Sequence, residues 1–172
     1  AHGKQVKVPI RDFSEEDLDY VELENPPPLK ITFLKDTGMV QFEPIPNMQE
    51  FPRFHELTAG VKIEKTNMKP YTKPLKVELF SFASEIDGEN YILLDRQESC
   101  FTPTKENGRS LVFSGNTVTL MDINHISNER RGEKYGGFLV VVTDQRGKII
   151  DYGTSHEWLL GILGTLRELP LG

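Results

Sequence analysis

Apolar and polar residues alternate along several short stretches of the chain, and this two-residue period is typical of half-buried β-strands. The clearest case is the stretch from Leu75 to Phe82, directly after Pro74. Asp87-Gly88 predicts a tight turn that returns the chain through Tyr91 to Leu94. A continuous apolar run from Phe138 to Thr143 predicts a central strand that is buried on both faces.

Turn-forming residues separate the remaining apolar stretches, which indicates hairpins between neighbouring strands. Such turns are predicted at Asp36-Thr37-Gly38, at Ser114-Gly115-Asn116 and from Asp144 to Gly147. Residues 43–59 are rich in proline and aromatic residues, and they are predicted to form a long irregular connection. Further strands are predicted at 31–34, 39–42, 61–64, 99–102, 111–113, 118–121 and 148–152. Because helices do not alternate with these strands, the pattern predicts a mainly β fold, an antiparallel β-sandwich with a short C-terminal helix.

The first part of the chain carries a different pattern. Ser14, followed by acidic residues, predicts a short helical turn with Ser14 as its N-cap. Pro26-Pro27-Pro28 then predicts an extended lead-in. We therefore interpret residues 1–28 as an N-terminal arm with a proline-rich lead-in, and residues 29–172 as the β-sandwich domain.

The period also changes near the other end. Thr154 and Glu157 have the spacing of a capping box, which predicts the start of a helix. Gly161 and Gly164 weaken this helix by about 1 kcal/mol each relative to alanine, but they also permit close approach to a sheet. The apolar positions predicted to pack against the sheet are Trp158, Leu159, Ile162, Leu163 and Leu166.

The composition excludes some classes of partner. The chain has 26 acidic and 20 basic residues, a formal net charge of −6 and a sequence pI near 5.3. This balance disfavours an electrostatic nucleic-acid binder. The single cysteine, Cys100, has no partner for an intramolecular disulfide, and its apolar surroundings predict a buried small side chain.

No apolar stretch approaches the roughly 20 residues that span a bilayer, so the sequence predicts no transmembrane segment. The chain begins with Ala1-His2-Gly3. Two explanations are open: an exported chain from which the signal peptide has been removed, or residues left from a purification tag.

Several polar clusters contain residue types that can act in catalysis or metal binding. Asp122 to His125 is the densest group of metal-ligand types, but it lacks the glycine and distal glutamate of a calcium loop. A polar strand end is the better interpretation there. Ser155-His156 is assigned to helix capping, and no Gly-x-Ser-x-Gly motif exists. Acidic residues flank one hairpin and are predicted to be solvated: Glu85, Asp87, Glu89 and Asp95. The sequence therefore predicts no catalytic residue, no metal site and no cofactor.

Two groups of residues leave room for recognition. Phe51, Phe54 and His55 form a candidate binding surface, where aromatic rings stack on a sugar or contact a protein. The alternative is that they plug one open end of the sandwich. Arg130-Arg131 and Lys134 form a small basic cluster, interpreted as a solvated loop or as a contact for an acidic partner or sulfated glycan.

The stretch from Arg131 to Asp144, followed by Gly147-Lys148 and a strand that leads into the C-terminal helix, resembles one family of proteins. These are exported bacterial immunoglobulin-like β-sandwich proteins encoded beside type IV pilus-like genes. The resemblance covers about the last third of the chain and rests on the character of the strands. It implies a cell-envelope or surface protein with a binding or assembly role, and it carries over no catalytic residue.

Three functions follow as hypotheses. The first is a non-enzymatic, exported protein, periplasmic, on the cell surface or extracellular, that contributes to surface or pilus-associated assembly through contacts with a protein partner. The second is a carbohydrate-binding module that uses the aromatic residues of the 43–59 connection to hold a glycan. The third is an unrecognised hydrolase working through carboxylates or a bound metal.

Overall fold

The computed structural model describes residue 7 and residues 9–40, 46–47, 50–125 and 130–172, without the side chains at 50, 51, 124 and 125. A 3-10 turn (Ile10–Asp12) precedes the first helix. The strands are β1 (Leu29–Val40), β2 (Glu50–Lys65), β3 (Leu75–Glu85), β4 (Tyr91–Phe101), β5 (Ser110–His125), β6 (Arg130–Thr143) and β7 (Ile149–Thr154). The helices are α1 (Glu15–Glu24), α2 (Trp158–Gly161) and α3 (Leu163–Glu168).

All pairing between the described strands is antiparallel, in the order β1-β2-β5-β6-β3-β4, with β7 also paired to β6. Among the described residues, the β5–β6 pairing is short, because it joins residues 122–124 to residues 130–132. It therefore divides the strands into sheet I (β1-β2-β5) and sheet II (β4-β3-β6-β7). Strands that are distant along the chain lie side by side in each sheet, as in an immunoglobulin-like sandwich. The predicted fold class is confirmed.

The inner faces of the two sheets enclose the main core. Alternate residues of β2, β3 and β6 point into it, because side chains along a strand alternate between its two faces. Phe33 of β1 stacks on Phe138 of β6 with 4.1 Å between ring centroids, which ties the edge of sheet I to sheet II. The fully buried members of this core include Val61, Ile63, Leu75, Val77, Val140 and Val142.

Sheet II is also covered on its outer face. Leu159 of α2 and Leu163 and Leu166 of α3 pack there against residues that point away from the main core. These sheet residues are Phe80, Phe82, Leu93, Leu139 and Val141. The continuous apolar run from Phe138 to Thr143 follows from this double burial, and the prediction of a central strand buried on both faces is confirmed.

The C-terminal helix differs from the prediction in its start and its continuity. Glu157 occupies the N-cap position without a capping hydrogen bond, and its side chain accepts from the Tyr152 hydroxyl at 2.9 Å. The Thr154 hydroxyl donates to the carbonyl oxygens of Phe138 and His156. The predicted capping box is therefore wrong, because strand β7 uses Thr154 to complete its own pairing. The helix is also broken at Ile162 into two short pieces.

Two arginines, one of which pairs with the buried Glu78, secure these helices to sheet II. The Arg167 guanidinium donates to both carboxylate oxygens of Glu78 on β3, at 2.9 and 2.6 Å. The Arg96 guanidinium donates to three carbonyl oxygens at the end of α3, at 2.7 to 3.1 Å. A cation at the C-terminal end of a helix satisfies its free carbonyls and its dipole.

One predicted turn and part of the predicted irregular connection lie inside long strands. Asp36-Thr37-Gly38 belongs to β1, which pairs with β2 along its whole length. Residues 50–59, predicted to be irregular, belong to β2; residues 41–45 and 48–49 of the predicted strand and connection lie outside the described residues. Local turn signals were overridden because β2 lies between two long partner strands.

The predicted turn at Ser114-Gly115-Asn116 is a bulge within β5. Two residues of β5, Gly115 and Asn116, lie opposite the single residue Ala59 of β2. The Asn116 backbone N–H donates instead to the Asp95 carboxylate of β4, at 2.7 Å. A Cβ on Gly115 would lie 2.1 Å from an oxygen of Asp95, so only glycine permits this contact.

Several local predictions hold. Asp87 has a positive φ of 58° in the β3–β4 turn, and Gly147 has 83° in the β6–β7 turn. Ser14 and Asp17 form a complete capping box at the start of α1. Cys100, in contrast, is exposed, because the alternation along β4 points Phe101 inward and Cys100 outward.

The N-terminal arm lies against the sandwich. Leu23 of α1 is buried, and Asp19 pairs with Lys73 at 2.5 Å. Glu24 accepts a hydrogen bond from the Arg146 guanidinium at 2.8 Å. Strand β1 begins at Leu29, directly after the three prolines. None of the described helices is long and apolar enough to cross a membrane.

Asp95→Ala tests the link between the open edges of the two sheets. Asp95 is buried and also accepts from the side-chain amides of Asn116 and Gln97, at 3.2 and 3.0 Å. Its loss leaves the Asn116 N–H unpaired, and we expect a decrease of about 2–3 kcal/mol in the free energy of unfolding. Urea denaturation measures this free energy, and Asp36→Ala, a substitution at an exposed position, serves as the control. Equal stability of both variants would contradict this role.

Asp144 gives a pH-dependent prediction. Burial raises its pKa, but hydrogen bonds from the Arg146 guanidinium and from the backbone N–H groups of Arg146 and Lys148 outweigh it, so the pKa lies below 3.8. A lowered pKa means that the stabilisation is complete above 3.8 and is lost as the pH falls from there towards the folded pKa. We expect the urea midpoint to fall with acidification in this range, and to fall less in Asp144→Asn. An equal loss of stability on acidification in the parent protein and in Asp144→Asn would show that the acid sensitivity arises from other groups.

Candidate functional site

The structure separates the members of the predicted binding surface. Phe54 and His55 are consecutive residues of β2, so their side chains point to opposite faces of sheet I. Phe51 pairs through its backbone with Asn124, and its side chain lies outside the described part of the chain. Phe54 and His55 are both half-buried, and His55 lines a cavity.

That cavity, here called the end pocket, lies where β5 and β6 pair and has a volume of about 380 Å³. Its base is apolar, because the buried side chains of Leu57 and Leu120 line it. Its charged lining residues among those described are four acids and two bases: Glu56, Asp87, Asp122, Glu133, Arg130 and Lys134. The pocket therefore brings together groups that the sequence analysis had treated separately.

Asp122 is the most buried charged group of the end pocket. Its side chain is 10% exposed, whereas that of its partner Arg130 is 53% exposed. The Arg130 guanidinium donates to Asp122 Oδ2 at 2.9 Å. Asp122 Oδ1 is buried and has no hydrogen-bond partner in the part of the chain that the structure describes. The carboxylate is thus half satisfied.

The predicted basic cluster is split by the alternation of β6. Arg130 and Lys134 line the end pocket, whereas Arg131 lies between them in sequence and lines a different depression beside Glu85. Among the described side chains, no three potential metal ligands of the His, Cys, Asp or Glu type converge. The side chain of His125 lies outside the described residues.

Tyr135 forms one wall of the end pocket. Its ring stacks on Phe33 at 6.1 Å between centroids, and Lys35 Nζ lies 4.4 Å from the ring centroid. Burial raises the pKa of its hydroxyl. The ring is therefore fixed in position by apolar and cation–π contacts.

The structure also brings together three rings whose proximity the sequence pattern does not predict, here called the aromatic cluster: Tyr91, His156 and Trp158. The rings of Tyr91 and Trp158 meet edge to face with 5.2 Å between centroids and 71° between planes. Tyr91 also meets the His156 ring, at 5.7 Å and 70°. Tyr91 is 42% exposed and Trp158 48% exposed, although both are large apolar side chains.

Different elements position the three rings. Tyr91 begins β4, Trp158 begins α2, and His156 lies in the segment between β7 and α2. The Ser155 hydroxyl is 2.9 Å from His156 Nδ1 and accepts from the Phe138 backbone N–H at 2.9 Å. Ser155 thus fixes this segment to β6, a different role from the helix capping predicted for it. In the sequence, Trp158 follows His156 by two residues, and it was predicted to pack against the sheet; its exposure shows that this prediction is wrong.

The acidic residues flanking the β3–β4 hairpin do not gather at one point. Asp95 is buried and holds β5. Glu85 accepts from the Asn90 side chain at 2.9 Å, and Asp87 lines the end pocket. Glu85 and Asp87 both line the depression beside Arg131, whereas Asp95 lies apart from them, and the prediction that Asp95 is solvated is wrong.

Comparison with known proteins adds two distant structural similarities. No protein-family model matches the chain, and no curated protein matches it. A crystal structure from Akkermansia muciniphila aligns over 77% of this chain and 73% of its own, with 16% identity and a TM-score of 0.30. An X-ray structure of a Northeast Structural Genomics Consortium target aligns over 72% and 84%, with 8% identity and a TM-score of 0.36. Both TM-scores are below 0.5, so the fold assignment rests on the strand order described above.

Proposed function

We propose that this protein is a non-enzymatic, exported β-sandwich that acts in surface or pilus-associated assembly by binding another protein. The observation that carries the proposal is the aromatic cluster, in which Tyr91 and Trp158 expose large rings at a fixed angle. Tryptophan and tyrosine are enriched among the residues that dominate protein interfaces, because they bury much apolar area and lose little side-chain entropy. Export and pilus association rest on the resemblance of residues 131–148.

The charges around the cluster indicate the kind of partner. Glu157 precedes Trp158, and Glu89 lies two residues before Tyr91 in the hairpin. Both carboxylates are exposed, and the whole chain carries a net charge of −6. A lysine or arginine side chain gains from the face of an indole ring and from adjacent carboxylates at once. We therefore propose that the docking segment of the partner is basic.

A site-specific photo-crosslinker tests where the partner binds. The crosslinking residue replaces Tyr91 in the protein expressed in its native cells, and in a control it replaces Tyr20, an exposed tyrosine on α1. We expect one discrete protein adduct from position 91 that is absent from position 20. The adduct should disappear when Trp158→Ala is added. Identical adducts from both positions, or none from position 91, would reject the cluster as the docking site.

Binding to the identified partner can then be measured directly. Trp158 is the only tryptophan, so its fluorescence reports on the cluster alone. We expect partner binding to change this emission. Calorimetry measures the affinity of the Trp158→Ala variant, and we expect that substitution to weaken binding by about 2 kcal/mol, or roughly thirtyfold. Tyr20→Ala should leave the affinity unchanged. A response of Trp158 emission to glycans, with no response to the partner, would favour the carbohydrate-binding hypothesis.

A further inference from the structure

The half-satisfied carboxylate in the end pocket is the strongest unexplained feature of the molecule. Asp122 is nine-tenths buried, Arg130 binds one of its oxygens, and Oδ1 has no partner among the described residues. A buried acceptor without a donor is unfavourable, and native proteins keep few of them. A ligand that donates a hydrogen bond to Oδ1 would satisfy this acceptor.

The pocket has the dimensions and lining of a small-molecule site. Its volume of about 380 Å³ suits a ligand of the size of one sugar ring. Leu57 and Leu120 give it an apolar base, and Tyr135 gives it an aromatic wall. A few polar groups above an apolar base are the usual composition of a site that fixes the orientation of a ligand.

The charges of the pocket select among ligand classes. Four acids line it against two bases, so a phosphate or sulfate would meet net repulsion. A cation at Oδ1 would lie beside the Arg130 guanidinium, which already neutralises Asp122. A metal ion lacks a set of three converging ligands in the described part of the chain. A hydroxyl group has none of these disadvantages, because it is neutral and can both donate and accept a hydrogen bond.

We propose that the end pocket binds a neutral, hydroxyl-rich sugar residue, with one hydroxyl donating to Asp122 Oδ1 and another accepting from Lys134. The site is independent of the proposed protein-binding role, because none of the aromatic-cluster residues lines the pocket. The proposed sugar site also differs from an aromatic stacking platform, because polar contacts with Asp122 set the specificity of the site. The backbone supports it: the Ile86 N–H donates to the Gly132 carbonyl at 2.9 Å, and Gly132 pairs with Asp122.

The test uses the whole chain and simple sugars as probes. Methyl glycosides of glucose, galactose and mannose, together with N-acetylglucosamine, are titrated while the methyl resonances of Leu57 and Leu120 are followed by NMR. Glucosamine and glucuronate serve as the charged counterparts. We expect at least one neutral sugar to shift both leucine methyl signals, and the charged counterparts to bind more weakly.

Two variants assign the effect to the polar contacts. Asp122→Asn replaces one carboxylate oxygen by an amide donor, and we expect it to weaken the sugar about tenfold. Lys134→Gln, at an exposed position that tolerates change, should weaken it by a smaller factor. Asp12→Asn in the N-terminal arm is the matched control and should bind like the parent protein. Trp158→Ala should also bind normally, so failure here and failure of the protein-binding proposal are distinguishable.

Three results would overturn the proposal. The first is the absence of any shift of Leu57 and Leu120 with all four neutral sugars. The second is tighter binding of glucosamine or glucuronate than of every neutral sugar. The third is unchanged sugar affinity in a folded Asp122→Asn variant. If Asp122→Asn does not fold, unchanged sugar affinity in Lys134→Gln would overturn the proposal instead.

Discussion

Strand β6 is hydrogen-bonded to three other strands, and the architecture depends on this shared pairing. Its first residues pair with β5 of sheet I, and the remainder pairs with β3 and β7 of sheet II. The chain crosses between the sheets at Gly132, where a Cβ would lie 1.9 Å from the Met121 carbonyl oxygen. Only glycine permits that approach. The same crossing forms the end pocket, since Asp122 pairs with Gly132 while Arg130 and Lys134 flank it.

Burial of sheet II on both faces is the second consequence of this arrangement. Residues 139–142 of β6 alternate between the main core and the core beneath the C-terminal helices. Apolar side chains are therefore required at consecutive positions, and the sequence carries them. In the part of the chain that the structure describes, sheet I is covered on one face only. This explains why its strands alternate apolar and polar residues and why some of their apolar side chains, such as Val112, remain exposed.

The sequence predicted what depends on local chemistry and burial period. The β3–β4 and β6–β7 turns, the Ser14 cap and the double burial of residues 138–143 were all correct. The failures at Gly38 and Gly115 share one cause. Each glycine lies in a strand held by a long partner, β2, and pairing across distant parts of the chain has no signature in a local window. Glycine is required at position 115 because a larger side chain would collide with Asp95. In the sequence, however, such a glycine cannot be distinguished from a glycine in a turn.

The candidate sites were harder to predict for the same reason. Asp122, Arg130 and Lys134 were recognised as polar groups, but their convergence depends on the β5–β6 crossing. Phe54 and His55 were expected to act together, yet the long strand β2 separates their side chains. Tyr91 and Trp158 are 67 residues apart in number and meet only because the C-terminal helices fold back over sheet II.

The exposure of Trp158 follows from the geometry of a very short helix. A helix of four residues buries about one side chain per turn, and in α2 that side chain is Leu159. Its neighbour Trp158 must then point sideways, where Tyr91 and His156 contact its edge but leave about half of it in water. A small polar residue at position 158 would avoid the cost of exposing an indole ring. Burial of Leu159 does not require tryptophan beside it, so the fold alone gives no reason for this ring. A binding partner that covers the ring would supply one.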